Sequence, residues 1–147
     1  MPELLAALFT LVAQSLAAVN PALLVRRRRR QARLADHAQG RPVLVPCDLR
    51  DRELTGSAWS EGHLELPPGT TSTTGEPVRW LAKDTRGTRN TKGSTTPVPV
   101  DFPPLEAVSA DEIGVAFRSA DGATELRLHP DEAPMVLRVL RVLREAP

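Results

Sequence analysis

The stretch "TELRLHPDEAPMVLRVLRVLREA" (residues 124–146) combines two different apolar periodicities, which together indicate the class of fold. Its first part alternates, with Leu126 and Leu128 on one side and charged residues on the other, which predicts a half-buried β-strand. From residue 130 onward, apolar residues recur every three or four positions opposite arginines, which predicts an amphipathic helix. Because so wide an apolar stripe must be buried, the helix is expected to cover the open face of a sheet.

Five more short apolar segments precede this strand, each bounded by proline, glycine or other turn residues. They are PVLVPCDLR (42–50), AWSEGHLEL (58–66), PVRWLAK (77–83), TPVPVDF (96–102) and IGVAFRS (113–119). The tetrapeptide SADG (119–122) lies between the last two strands and favours a tight hairpin turn. The sequence therefore predicts an α+β fold, mainly β, in which about six antiparallel strands are closed by the carboxy-terminal helix.

Residues 4–25, LLAALFTLVAQSLAAVNPALLV, contain no charged side chain. As a helix this stretch would be about 33 Å long, enough to cross a hydrocarbon core of about 30 Å. A single transmembrane helix at 1–25 is the leading interpretation, and a cleaved secretory signal or a helix lying in the membrane interface are the alternatives. A basic juxtamembrane segment (26–40) and then the β domain (41–147) are expected to follow.

Five consecutive arginines follow the apolar stretch directly: Arg26, Arg27, Arg28, Arg29 and Arg30. Basic residues beside a span are retained on the cytoplasmic side, so the amino terminus is expected outside the cell membrane and the domain in the cytoplasm. The arginines are also expected to contact anionic lipid headgroups, at about 1 kcal/mol each. Nucleic-acid binding is disfavoured, because the run has no aromatic stacking partners and the chain outside its basic patches is acidic.

A second basic patch lies in the middle of the chain and comprises Arg79, Lys83, Arg86, Arg89 and Lys92. Asp84 is the only acidic residue within residues 79–92, so the segment is strongly positive. We expect these side chains to contact anionic lipid or an acidic partner. A solvated basic loop without a ligand is the alternative.

Thr10, Gln14 and Ala17 recur at helical spacing along one side of the predicted span. Small and polar residues at this spacing are typical of contacts between membrane helices, so they predict a membrane-protein partner. Polar residues tolerated in a marginal anchor are the alternative.

Sequence motifs for catalysis, metal binding and cofactor binding are missing. The segments PGTTSTTGEP (68–77) and RGTRNTKGST (86–95) contain glycine but lack the Gly-Lys-Ser/Thr order of a phosphate-binding loop. His37, His63 and His129 lie far apart, without the spacing of metal ligands. The single cysteine, Cys47, lies on a predicted strand, where a buried small apolar side chain is more typical than a nucleophile. No catalytic, metal-binding or cofactor-binding residue and no enzyme activity are therefore expected.

Several features follow one another along the chain: the predicted amino-terminal span, the arginine run, the strand motif CDLR (47–50), strand tryptophans at Trp59 and Trp80, and the helical end. In this layout the chain resembles small single-span membrane proteins of unknown function from high-GC Gram-positive bacteria. The strands and final helix also resemble a pleckstrin-homology-like barrel. That resemblance implies a cytoplasmic domain in which basic hairpin loops can bind phosphorylated headgroups, and it implies no catalytic residues.

These features together predict a membrane-anchored, non-enzymatic binding or scaffold module at the cytoplasmic membrane face. Anionic lipid and a protein partner both remain open as its ligand. One alternative is a structural or accessory subunit of a membrane complex. The other is an enzyme without a recognisable motif, which would need His63 or His129 beside Asp101 or Asp111 in one pocket.

Overall fold

The computed structural model of the chain describes residue 6 and residues 20–68, 76–83 and 96–145. The chain divides into two compact units, Met1–Ala32 and Arg33–Pro147. The boundary between them falls inside a helix, α1 (Pro21–Ala38), and the second unit contains the sheet.

Seven strands and a second helix follow α1 in the described part of the chain. They are β1 (Val43–Asp51), β2 (Trp59–Leu66), β3 (Val78–Ala82), β4 (Val98–Val100), β5 (Leu105–Ala110), β6 (Val115–Ser119), β7 (Thr124–Leu128) and α2 (Ala133–Glu145). All the strands pair antiparallel in one sheet of order β4-β3-β2-β1-β7-β6-β5. The predicted α+β class, mainly β with a carboxy-terminal helix, is confirmed.

The core lies on the face of the sheet to which β1, its central strand, points its alternate residues Val43, Val45, Cys47 and Leu49. Pairing of β1 with β2 and β7 brings further buried leucines beside these residues on the same face. Val136 of α2 belongs to the same cluster and is fully buried, so the helix covers this face as predicted. Burying each such leucine or valine contributes about 1.5–3 kcal/mol.

Closure of the sheet into a barrel was expected from the resemblance to a pleckstrin-homology-like fold, and that expectation is wrong for the described strands. β4 pairs only with β3 and β5 only with β6, which leaves both as edges of an open sheet. β4 contains three residues with Pro99 at their centre, and proline has no N–H to donate to another strand. The shortness of β4 and its central proline therefore explain why the sheet stays open at this edge.

Helix α1 begins where proline and asparagine favour a start. Pro21 occupies the first helical position, and the side-chain Oδ1 of Asn20 accepts the Ala22 N–H at 3.0 Å. The helix ends at Ala38, and Gly40 then adopts a positive φ of 76°, which ends helices at little cost. The arginine run is thus helical.

The predicted transmembrane helix at 1–25 lies for the most part outside the described residues, as do Thr10, Gln14 and Ala17. Among the helices that are described, none is both long enough and apolar enough to cross a bilayer.

Candidate functional site

The arginine run forms part of an exposed surface on α1, a helix in which no residue is buried. Arg26 to Arg29 are exposed, and Arg30 is half-buried. The three residues before the run are apolar and also exposed: Leu23 at 59%, Leu24 at 48% and Val25 at 48%. Along α1, about one turn of exposed apolar side chains is therefore followed directly by about one turn of exposed arginines.

The second basic patch is only partly described. Arg79 is exposed on β3, and Lys83 follows that strand, whereas Arg86, Arg89 and Lys92 lie outside the described residues. The Lys83 Nζ lies 2.9 Å from the Glu61 Oε2, and Arg79 lies opposite Glu65 in the register of β2 and β3. Each described member of the patch thus has an acidic residue of β2 beside it. The hydrogen bond from Lys83 lowers the pKa of Glu61.

An aromatic ring close to two guanidinium groups lies on the outer face of the sheet. Trp59 of β2 is 40% exposed and is the register partner of Arg50 on β1. The Arg127 Cζ lies 4.8 Å from the centroid of the Trp59 ring, and the Arg50 Cζ lies 5.9 Å from it. These distances are within the range of cation–π attraction. Trp80, in contrast, is a core residue.

A buried carboxylate joins this arrangement to β6. Glu125 is only 6% exposed although it lies on the outer face, and its Oε1 is 2.8 Å from the Arg50 Nη2 and 3.1 Å from the Arg118 Nε. We refer to Arg50, Trp59, Arg118, Glu125 and Arg127 as the arginine–tryptophan cluster. Arg127 is exposed and forms no ion pair within the described residues, and its guanidinium lies beside the indole.

The charge around the cluster is nearly balanced. Asp48 lies opposite Arg127 in the register of β1 and β7, and Glu106 lies opposite Arg118 in that of β5 and β6. The outer face is therefore a mixed-charge surface with an exposed tryptophan, a composition typical of protein contact surfaces. A ligand could bind this face by stacking on the Trp59 ring and by hydrogen bonding to the arginine side chains.

Three of the candidate groups for chemistry are either buried or held in local hydrogen bonds. Cys47 is buried, and burial raises the pKa of its thiol, which favours the protonated form at neutral pH. The Asp111 Oδ1 accepts the N–H groups of Ile113 and Gly114 within its own turn, and the His129 Nδ1 accepts that of Asp131. Over the described ranges, no group of three or more metal-ligating side chains comes together.

The arginine–tryptophan cluster was not predicted from the sequence. Its members come from four strands, so only the strand register brings them together. One signal was present, since Arg50 and Arg127 occupy the polar positions of two alternating strands.

Comparison of the chain with protein-family models, with curated proteins and with solved structures found no match. The family resemblance drawn from the sequence stays a prediction.

Proposed function

We propose that the protein is a non-enzymatic binding module, anchored by its amino-terminal segment at the cytoplasmic face of the cell membrane. Its sheet domain recognises a ligand close to that surface. The observation that carries the proposal is the sequence of exposed side chains on α1, apolar from Leu23 to Val25 and basic from Arg26 to Arg29.

Exposed apolar side chains on a helix are unfavourable in water and favourable at the boundary of a hydrocarbon layer. Arginines that follow immediately fit the anionic headgroup layer, where each contributes about 1 kcal/mol. The charge-free stretch at 4–25 precedes this boundary and is long enough to cross the bilayer. One segment thus supplies the anchor, its boundary and its orientation.

The strand order supports a pleckstrin-homology-like domain in spite of the open sheet. β1 to β4 form one consecutive meander, β5 to β7 form another, and β1 joins them by pairing with β7. α2 then covers the core face. In such a domain the ligand is bound rather than transformed, and the arginine–tryptophan cluster and the basic residues of 79–92 are the candidate contacts.

The lipid part of the proposal is tested by the anionic preference of the full chain, measured as partition into anionic vesicles divided by partition into neutral ones. Vesicles of phosphatidylcholine with and without phosphatidylglycerol at 0.1 M salt are used, where the Debye length is about 10 Å. Replacing Arg26, Arg27, Arg28 and Arg29 with glutamine is expected to lower the preference at least tenfold, since about 4 kcal/mol of attraction is removed.

A matched variant replaces Arg52, Arg138, Arg141 and Arg144 with glutamine, which removes the same charge from exposed positions elsewhere. It is expected to keep the preference within about twofold of the unchanged chain, since the screened attraction acts only near the surface. Equal partition of the unchanged chain into both kinds of vesicle would contradict the proposal. Equal losses in the two variants would show that net charge alone matters.

A further inference from the structure

The two edges of the sheet differ in how well they are protected against pairing. β4 is three residues long and contains Pro99, and both features discourage the addition of another strand. β5 is six residues long and contains neither proline nor lysine. The sheet is therefore open to pairing at β5.

The backbone of β5 is accessible. Residues 106–110 are all exposed, and residues on both faces of the strand share this exposure. The Asp111 N–H donates to the Gly114 oxygen at 3.0 Å across the hairpin, so by alternation the N–H and C=O of Ala110 point away from β6. In the described ranges, β5 forms no backbone hydrogen bond other than those to β6.

The side chains around this edge are acidic and apolar. Residues 105–117, which form this hairpin, include Glu106, Asp111 and Glu112 and contain no lysine or arginine. None of these three carboxylates forms an ion pair within the described residues, although the charge of Arg127 acts on Asp111. Arg118, opposite Glu106, binds Glu125 instead. Val108 is 48% exposed and Ile113 is 83% exposed on the same hairpin.

We propose that β5 is a strand-addition site for an extended segment of a partner protein in which basic residues alternate with apolar ones. Backbone groups of the segment pair with the open edge, its lysines or arginines face Glu106, Asp111 and Glu112, and its apolar residues contact Val108 and Ile113. This goes beyond the proposed function by naming the partner's chemistry, and it does not depend on membrane attachment.

A second copy of the chain fits the same edge poorly. Antiparallel pairing of two β5 strands would bring the acidic residues of one hairpin near those of the other, and like charges across strands are destabilising. The acidic charge therefore selects a basic strand.

The test uses the full chain and a fluorescein-labelled ten-residue peptide of alternating lysine and valine, with the glutamate–valine peptide as its counterpart. Binding is followed by fluorescence anisotropy. The lysine peptide is expected to bind at least tenfold more tightly than the glutamate peptide. Replacing Glu106 and Glu112 with lysine should weaken its binding at least tenfold, whereas replacing the remote exposed Glu53 and Glu145 with lysine should change it less than threefold.

Hydrogen exchange identifies the mode of binding. The Ala110 amide is expected to exchange at least tenfold more slowly with the lysine peptide bound, because a strand-to-strand hydrogen bond then protects it. Ala110→Pro, which removes this outward N–H, should abolish most of the binding. Equal affinity for the two peptides, or equal losses in the two lysine variants, would overturn the proposal. So would binding that leaves the Ala110 amide unprotected.

Discussion

The Arg33 Nε lies 2.5 Å from the Glu132 Oε1 and joins the last turns of α1 to the residue that precedes α2. Glu132 is 1% exposed, and Arg33 is the ion-pair partner that the described residues provide for it. A carboxylate so deeply buried requires a partner, because an isolated charge in the interior is very unfavourable. The pair therefore fixes residues 33–38 against the sheet domain.

Replacing Arg33 with alanine is expected to lower the free energy of unfolding by about 3–5 kcal/mol, since Glu132 would stay buried without its partner. Replacing both residues with leucine should restore most of the loss, because no uncompensated charge remains. Urea unfolding followed by circular dichroism measures both effects. A loss below about 1 kcal/mol in the single variant, the range of an exposed pair, would refute this role.

His37 lies on the same stretch of α1, and we expect it to make the stability of the domain depend on pH. Burial and the nearby Arg138 guanidinium lower the pKa of His37, and its Nε2 has no hydrogen-bond partner among the described residues. Since the native pKa lies below the unfolded value near 6.5, this stability is present above pH 6.5 and lost as the pH falls through the native pKa.

The unfolding free energy of the unchanged chain should therefore fall between pH 7.5 and pH 5.5. In the His37→Leu variant that fall should be smaller, because the titrating group is gone. Urea titrations at the two pH values provide the comparison. Identical pH dependence in the two proteins would exclude His37 as the cause.

Gly62 permits a close approach between β2 and β3. A Cβ at this position would lie 2.6 Å from the Trp80 Cη2 and still closer to the Leu81 backbone oxygen. Gly62→Ala should thus destabilise the domain by about 1–3 kcal/mol or more, since neither a packed indole nor a paired strand can yield easily. Ser60→Ala on the same strand serves as the control in thermal unfolding and should shift the midpoint little. Equal midpoints for the two variants would contradict this account of the contact.

Glu125 holds the arginine–tryptophan cluster together. Glu125→Gln leaves the Arg50 and Arg118 guanidinium groups without their shared carboxylate, and we expect a loss of about 1–3 kcal/mol in urea unfolding. Glu53→Gln, at an exposed turn position, should stay within about 0.5 kcal/mol of the unchanged chain. Matching losses in the two variants would mean that the buried carboxylate has no structural role.

Strands with alternating burial could be predicted from the sequence, and β5 could not. Exposure alternates along β1, whose Val43, Val45, Cys47 and Leu49 are buried, and in β7 the buried Leu126 and Leu128 alternate with the charged Glu125 and Arg127. β5 is exposed on both faces after Leu105, so no apolar period marks it, and two prolines precede it. Closure of a sheet depends on pairing between distant edges, which no local pattern encodes.

The site was predictable only where it is local in sequence. The arginine run is contiguous, so its exposure and helical form follow from neighbouring residues. Arg33 also belongs to the basic segment (26–40), yet its guanidinium binds Glu132, ninety-nine residues away. Likewise, the arginine–tryptophan cluster depends on the registers of β1 with β2 and of β1 with β7. Both the Arg33–Glu132 pair and the arginine–tryptophan cluster depend on tertiary contacts between residues that are distant in sequence.

Membrane attachment with the domain inside the cell is tested most directly by one experiment on intact cells that express the chain with a carboxy-terminal epitope tag. After external protease treatment, membranes are washed with alkaline carbonate and the tag is detected by immunoblot. We predict that the full-length tagged chain stays in the washed membrane pellet, protected from the protease until the cells are opened. Release of the intact chain by carbonate, or loss of the tag in unopened cells, would contradict the account.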